Sequence, residues 1–125
     1  MFFVDSDNSI NLTRGDIAVL EVSSTAPDGS DYIFQPGDVV RFRVHVKKKP
    51  EEVLLQKDIY IEALTETVDI PLSGEDTKFG ELINKPKEYW YEVELNPDDA
   101  PQTILGYDTD GAKIFRLYPE GGDLE

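Results

Sequence analysis

The chain has one histidine, His45, and this limits the nucleophilic chemistry that its side chains could perform. A serine–histidine–carboxylate triad would have to be built around it. His45 lies between Arg43 and Lys47 on the outward side of a predicted strand, so we interpret it as a surface residue and not as a catalytic base. There is no cysteine, no glycine-rich phosphate loop and no nucleophile elbow. We therefore predict no catalytic residues and no enzymatic activity.

Two acidic segments carry the oxygen ligands that calcium prefers. They are Asp5–Asn8 and Asp108–Gly111. Neither continues to the glutamate that closes an EF-hand loop, and aspartate and asparagine are also common in turns. We interpret both segments as turns and predict no metal and no cofactor.

A basic stripe stands out on an otherwise acidic chain. Arg41, Arg43, His45 and Lys47 share one side of a predicted strand, and Glu92 and Glu94 share one side of another. The favoured interpretation is that the stripe pairs with carboxylates of a neighbouring strand or protects a sheet edge. The alternative is that it docks an acidic partner, so Arg41, Arg43 and Lys47 are candidate interface residues.

Trp90 is the strongest candidate for a recognition residue. It lies opposite Tyr89 and Tyr91 on its strand and has glutamates beside it. If the tyrosines face the core, Trp90 is at least partly exposed, as aromatic anchors of interfaces often are. Packing within the domain is the alternative.

The net charge of −14 narrows the classes of partner. Binding to nucleic acid requires clustered Lys and Arg, and anionic membrane surfaces repel an acidic domain. We expect neither partner. The apolar start Met1–Val4 is followed at once by Asp5, so we expect no signal peptide and synthesis in the cytoplasm.

Alternation of apolar and polar residues predicts β-strands through most of the chain. The clearest are Val39–Val46, Thr67–Leu72 and Tyr89–Leu95, and Pro71 predicts that the second of these ends there or lies at a sheet edge. Weaker candidates are Ser9–Leu12, Ile17–Ser23, Tyr32–Phe34, Val53–Ile61, Gln102–Tyr107 and Lys113–Tyr118.

The connections complete the predicted fold. Asp108–Gly111 lies between two apolar runs and predicts a hairpin turn. Ser73–Asp76 resembles a helix-capping sequence, and Thr77–Ile83 then predicts one short helix. Many short strands with close turns favour an all-β, immunoglobulin-like β-sandwich with one short helical crossover. Residues 1–123 are expected to form one domain, and Leu124–Glu125 resemble an expression-vector scar.

Five segments carry a family resemblance: Asn11–Asp16, Gly37–Val40, Asn84–Pro97, Pro101–Asp108 and Phe115–Gly122. Together they resemble uncharacterised small proteins of phages and prophages of Gram-positive gut bacteria. The strand order is also similar to the immunoglobulin-like domain of phage upper baseplate proteins. The resemblance implies a tail or baseplate accessory module that is incorporated in the virion and contacts other phage structural proteins or itself. It implies no functional residues.

Three functional hypotheses follow. The first is a structural module of a phage tail or baseplate, which predicts a sandwich with an exposed edge or aromatic patch. The second is a carbohydrate- or calcium-binding module that recognises a cell surface. The third is a small enzyme, which the lone histidine and the absence of cysteine disfavour.

Overall fold

The computed structural model describes residues 1–26, 28–80, 84–99, 101–106 and 111–120. Within these residues the regular secondary structure consists of strands, so the predicted all-β class is confirmed. The strands are β1 (Phe2–Val4), β2 (Ile10–Thr13), β3 (Ala18–Val22), β4 (Val39–Val46), β5 (Lys49–Tyr60), β6 (Val68–Leu72), β7 (Lys87–Leu95), β8 (Gln102–Leu105) and β9 (Lys113–Tyr118).

The strands form two sheets. The larger sheet has the order β1-β2-β9-β7-β4-β5, and β8 also pairs with β7. β2 and β9 run parallel, whereas the other neighbours in this sheet are antiparallel. The smaller sheet is the antiparallel pair β3 and β6. Buried side chains of both sheets form one hydrophobic core, as a β-sandwich requires.

Alternation of apolar and polar residues explains why β4 and β7 form strands at the centre of the larger sheet. In β7, every second residue from Tyr89 to Leu95 is buried, as predicted. In β4, Phe42 is fully buried, and its ring centroid lies 5.7 Å from that of Tyr91 and 6.3 Å from that of Phe115. Because apolar side chains recur at every second position, each strand places one face on the core and the other outward.

The predicted hairpin at Asp108–Gly111 is wrong in its pairing. β8 and β9 do not pair with each other; β8 pairs with β7 at 93–95 and β9 pairs with β7 at 87–91. The two strands therefore lie end to end along the same edge of β7. β8 instead follows a turn from β7 that begins at Asn96, whose φ of 49° is left-handed. Residues 107–110 lie outside the described part of the chain.

The predicted helix is not seen among the described residues. Its capping contacts do form: the backbone N–H of Asp76 donates to the Ser73 hydroxyl, and the Ser73 N–H donates to the Asp76 carboxylate. The chain then makes one turn and leaves it, because the Thr77 hydroxyl is buried and bonds to the carbonyl of Asp16. Residues 81–83, the end of the predicted helix, lie outside the described residues.

In the described part of the chain, no helix is long and apolar enough to cross a membrane.

Two further differences and one agreement concern the outer parts of the fold. Tyr32–Phe34 is not a strand, and Phe34 forms only an isolated bridge with Thr65. β1 was not predicted, since three apolar residues in a row show no alternation. β6 has β3 as its pairing partner and carries Pro71 at an outer position, which confirms the predicted edge.

Candidate functional site

The basic stripe lies on the outer face of the larger sheet and pairs internally. Arg41 contacts Asp58 of β5 at 2.9 Å and Asp98 at 3.1 Å, and Arg43 contacts Glu92 of β7 at 3.7 Å. The prediction that the stripe protects a sheet edge is wrong, because β4 lies between β5 and β7. The hydrogen bond that Arg41 donates to Asp58 raises the pKa of Arg41, so its charge is permanent.

Lys47, between β4 and β5, begins a polar chain that crosses three strands. Its ammonium donates to Glu88 of β7 at 2.7 Å, and Arg116 of β9 donates to the same carboxylate at 2.8 Å. Arg116 also donates to the side-chain carbonyl of the buried Asn11 on β2 at 2.8 Å. The hydrogen bonds from Lys47 and then Arg116 hold the pKa of Glu88 below its usual value. This chain fixes the register of the sheet.

Trp90 is half-buried on the same face. Its ring meets the ring of His45 edge-on at 6.4 Å, and both line a cavity of about 190 Å³ with Pro50, Tyr91 and Ala112. Trp90 therefore packs against its own sheet over part of its surface. Its role as an interface residue stays a prediction, as does that of the stripe.

His45 is buried, so its predicted surface position is wrong. It is 5% exposed because it stands directly opposite Trp90 in the β4–β7 ladder and its ring packs edge-on against the indole. Its Nδ1 lies 2.9 Å from the carbonyl oxygen of Val46. An imidazole nitrogen in that position serves as a donor to the backbone, and this contact orients the ring without a carboxylate.

The segment Asp5–Asn8 forms the turn between β1 and β2. The backbone N–H of Asp5 donates to the Ser9 carbonyl at 2.8 Å, the Ser9 N–H donates to the Asp7 carboxylate at 3.0 Å, and Asn8 has a φ of 70°. These contacts are the turn chemistry that we predicted. Among the described residues no cluster of three or more potential ligands could hold a metal ion. Of the second predicted turn, only Gly111 is described.

Sequence reasoning missed an apolar groove where the two sheets separate. It lies between β1 of the larger sheet and β3 of the smaller one and encloses about 300 Å³. Phe2, Val4, Val19 and Val22 form its sides, and Tyr91 is among the residues of its floor. Three of the apolar residues that line it are exposed: Phe2 (37%), Val4 (49%) and Val19 (52%). We call this region, with β1 and β3 as its sides, the β1–β3 groove.

The outer edge of β1 offers backbone hydrogen-bonding groups. At one end Asp5 donates to Ser9, at the other Thr13 donates to Met1 at 2.9 Å, and Phe3 is paired with Asn11 between them. Paired residues of an antiparallel ladder exchange their bonds at every second position. The N–H and C=O groups of Phe2 and Val4 therefore point away from β2. In the described part of the chain, β1 pairs with β2 alone.

Two of the other outermost strands, β5 and β6, carry features that discourage association. β5 begins with Lys49, Pro50, Glu51 and Glu52, and β6 carries Asp69 and Pro71. Charges and proline on an edge prevent the addition of a further strand. β1 has neither a charge nor a proline, and its three residues are Phe-Phe-Val. The signal that could have revealed the site was this uncharged apolar triplet directly before an aspartate-rich turn.

Comparisons of the chain with protein-family models, with curated proteins and with solved structures find no match in any of the three. The fold and the groove therefore carry the functional argument by themselves.

Proposed function

We propose that this chain is a non-enzymatic, immunoglobulin-like β-sandwich module that acts through protein–protein contacts. The observation that carries the proposal is the exposed apolar strand β1 beside the β1–β3 groove. Exposed apolar strand edges are rare in soluble domains because they recruit other chains. A contiguous apolar patch rimmed by polar residues marks an interaction surface.

The strand order supports the immunoglobulin-like topology. In that fold one sheet contains strands G, F and C, variable-type domains extend it by C′, and strands B and E belong to the opposite sheet. The order β9-β7-β4-β5 corresponds to G-F-C-C′, and the pair β3-β6 corresponds to B-E. Chain order and pairing agree in every one of these strands.

The setting that we propose is a phage tail or baseplate, where the module joins other structural proteins. The sequence resemblance supports this setting, and an exposed edge is what that hypothesis expected of the sandwich. The negative charge of −14 is suited to a component that must stay soluble before it meets its partner.

Site-specific photo-cross-linking tests the proposal. A photoreactive phenylalanine analogue replaces Phe3 on β1, Trp90 on β7 or, as the control, the exposed Tyr60 at the end of β5. Each variant is expressed in the natural host, and its adducts are identified by mass spectrometry. Each adduct is then formed again from the purified variant and its purified partner. We expect a discrete protein adduct at position 3 and none at position 60.

Two outcomes would contradict the proposal. Adducts with glycans alone would favour the carbohydrate-binding alternative. The lack of any protein adduct at positions 3 and 90 would remove the assembly role. A partner that is a virion protein supports the phage setting, and a partner of another kind restricts the proposal to protein binding.

A further inference from the structure

We infer that β1 accepts an extended strand of a partner protein, in which apolar side chains alternate with basic ones. The inference rests on the proposed function. It adds the way in which the partner binds and the chemistry of the partner's side chains. The strand would add to the outer edge of β1 and place its apolar side chains in the β1–β3 groove.

The backbone geometry suits strand addition. Phe2 and Val4 each present one N–H and one C=O group to the open edge, so an added strand can form a ladder with β1. The side chains of Phe2 and Val4 line the groove, whereas Phe3 lies beside Asn11 on the other face. Alternate side chains of the added strand therefore enter the groove, as the period of two in a strand requires.

The shape of the sandwich leaves room for these side chains. The smaller sheet has two strands among the described residues, and β3 borders the groove without a strand between it and β1. Val19, which is 52% exposed, and the buried Val22 lie on opposite faces of β3, and both residues border the groove from this side. Filling about 300 Å³ with partner side chains would complete the packing between the sheets.

The charge beside β1 selects the partner. Asp5, directly after β1, lies with Phe3 on the face of β1 away from the groove, where its carboxylate accepts from the Asn11 amide at 3.1 Å. The basic side chains of the added strand point to this face, because the alternate ones enter the groove, and there they would meet Asp5. A second copy of the chain would bring a further net charge of −14 to the same place, so we assign the groove to a foreign strand.

The test uses a synthetic peptide as the probe. It has about seven residues, enough to span β1, and alternates valine with lysine. Fluorescence anisotropy measures its binding to the wild-type chain at low salt, and a second peptide has glutamate in place of lysine. We expect saturable binding of the lysine peptide, weaker binding as salt is raised, and no binding of the glutamate peptide.

Three variants separate the contribution of the outward N–H of Val4 from that of the charge at the groove. Val4→Pro removes the outward N–H of Val4 and leaves the bonds between β1 and β2, since residues 1, 3 and 5 make those bonds. Val4→Lys places a cation at the groove, and Val53→Lys makes the same change on the opposite edge strand β5, where Val53 is 39% exposed. Both Val4 variants should bind the lysine peptide at least about tenfold more weakly, and Val53→Lys should match the wild type. Circular dichroism confirms that each variant is folded.

The outcomes distinguish this inference from the proposed function. Equal binding by Val4→Lys and Val53→Lys, or lack of saturable binding by the wild type, would overturn strand addition. A dimer of the wild type that Val4→Lys dissociates would show that a second copy occupies the groove, which also overturns it. If cross-linking still identifies a protein partner through Trp90, the proposed function stands and only the mode of docking is wrong.

Discussion

Tyr91 donates its hydroxyl to the backbone carbonyl of Asn8 and thereby joins the central strand β7 to the turn between β1 and β2. The tyrosine is 4% exposed, and this burial raises the pKa of its hydroxyl above the ordinary value. The hydroxyl therefore remains a donor throughout the physiological pH range. Because both residues line the β1–β3 groove, this hydrogen bond determines where β1 lies relative to the core.

Tyr91→Phe should loosen β1 more than it destabilises the domain. Loss of one hydrogen bond is expected to lower the free energy of unfolding by about 1 kcal/mol. Because the bond fixes the turn, the amides of Phe3 and Asp5, which face β2, should exchange with solvent faster. Chemical denaturation and hydrogen–deuterium exchange measure the two effects. Tyr60→Phe, at a residue that is 69% exposed, is the control and should change neither; unchanged exchange in β1 would contradict the prediction.

Asp38 joins two turns through three donors on one carboxylate. Its Oδ2 accepts from the Tyr32 hydroxyl at 2.7 Å and from the Gln35 N–H at 3.0 Å, and its Oδ1 accepts from the Asn96 amide at 3.1 Å. An amide has one oxygen, so in Asp38→Asn at least one donor faces an NH₂ group. We expect the free energy of unfolding at pH 7 to fall by roughly 1–2 kcal/mol, measured by denaturant titration. A variant as stable as the wild type would contradict this.

The same carboxylate predicts the pH dependence of stability. Partial burial acts to raise the pKa of Asp38, but the hydrogen bonds from Gln35, Tyr32 and Asn96 outweigh it and hold the pKa below the ordinary value. A depressed carboxylate stabilises the fold above its unfolded pKa of about 3.9, and this contribution is lost as the pH falls through the folded pKa. The stability advantage of the wild type over Asp38→Asn should therefore shrink below about pH 4. Thermal denaturation at several pH values measures this difference, and a constant advantage would argue against it.

Two glycines with positive φ separate backbone strain from steric clash. Gly37 has a φ of 96° with nothing near an added Cβ, whereas Gly80 has a φ of 75° and an added Cβ would lie 2.8 Å from the Tyr89 hydroxyl. Gly37→Ala should lower the free energy of unfolding by about 1–2 kcal/mol because of the left-handed backbone alone. Gly80→Ala should cost at least about 1 kcal/mol more, because the buried Tyr89 must shift. Denaturation midpoints compare the two, and equal losses would mean that Tyr89 moves freely.

The sequence predicts β4 and β7 because their burial follows a simple alternation. Neighbours that are remote in the chain decide the rest. The Ser73–Asp76 capping contacts form as predicted, yet no described helix follows, because Thr77 bonds to Asp16 across 61 residues. His45 has the alternation of a surface residue and is buried against Trp90, its cross-strand neighbour on β7. Local patterns do not contain either contact.

The candidate site was less predictable than the fold. Trp90 and the stripe drew attention as conspicuous residue types, and the structure shows that they contact one another's strands. The β1–β3 groove depends on which strands fail to meet, and Phe2–Val4 has no periodicity that would assign it to an edge. An edge is a property of the sheet order, which one sequence does not reveal.

A substitution of Arg41 tests the remaining hypothesis about the basic stripe, which is that it docks an acidic partner. The Arg41 side chain is 14% exposed and joins β4 to Asp58 and Asp98, whereas Lys49 pairs with Glu52 at an exposed position where both side chains are more than half exposed. Arg41→Ala leaves Asp58 partly buried without its partner, so we expect a loss of about 1–3 kcal/mol, against about 0.5 kcal/mol or less for Lys49→Ala. If the charge of Arg41 serves the fold, partner cross-linking at position 3 should be unchanged in Arg41→Ala. Loss of that adduct in a folded variant would instead assign Arg41 to the interface.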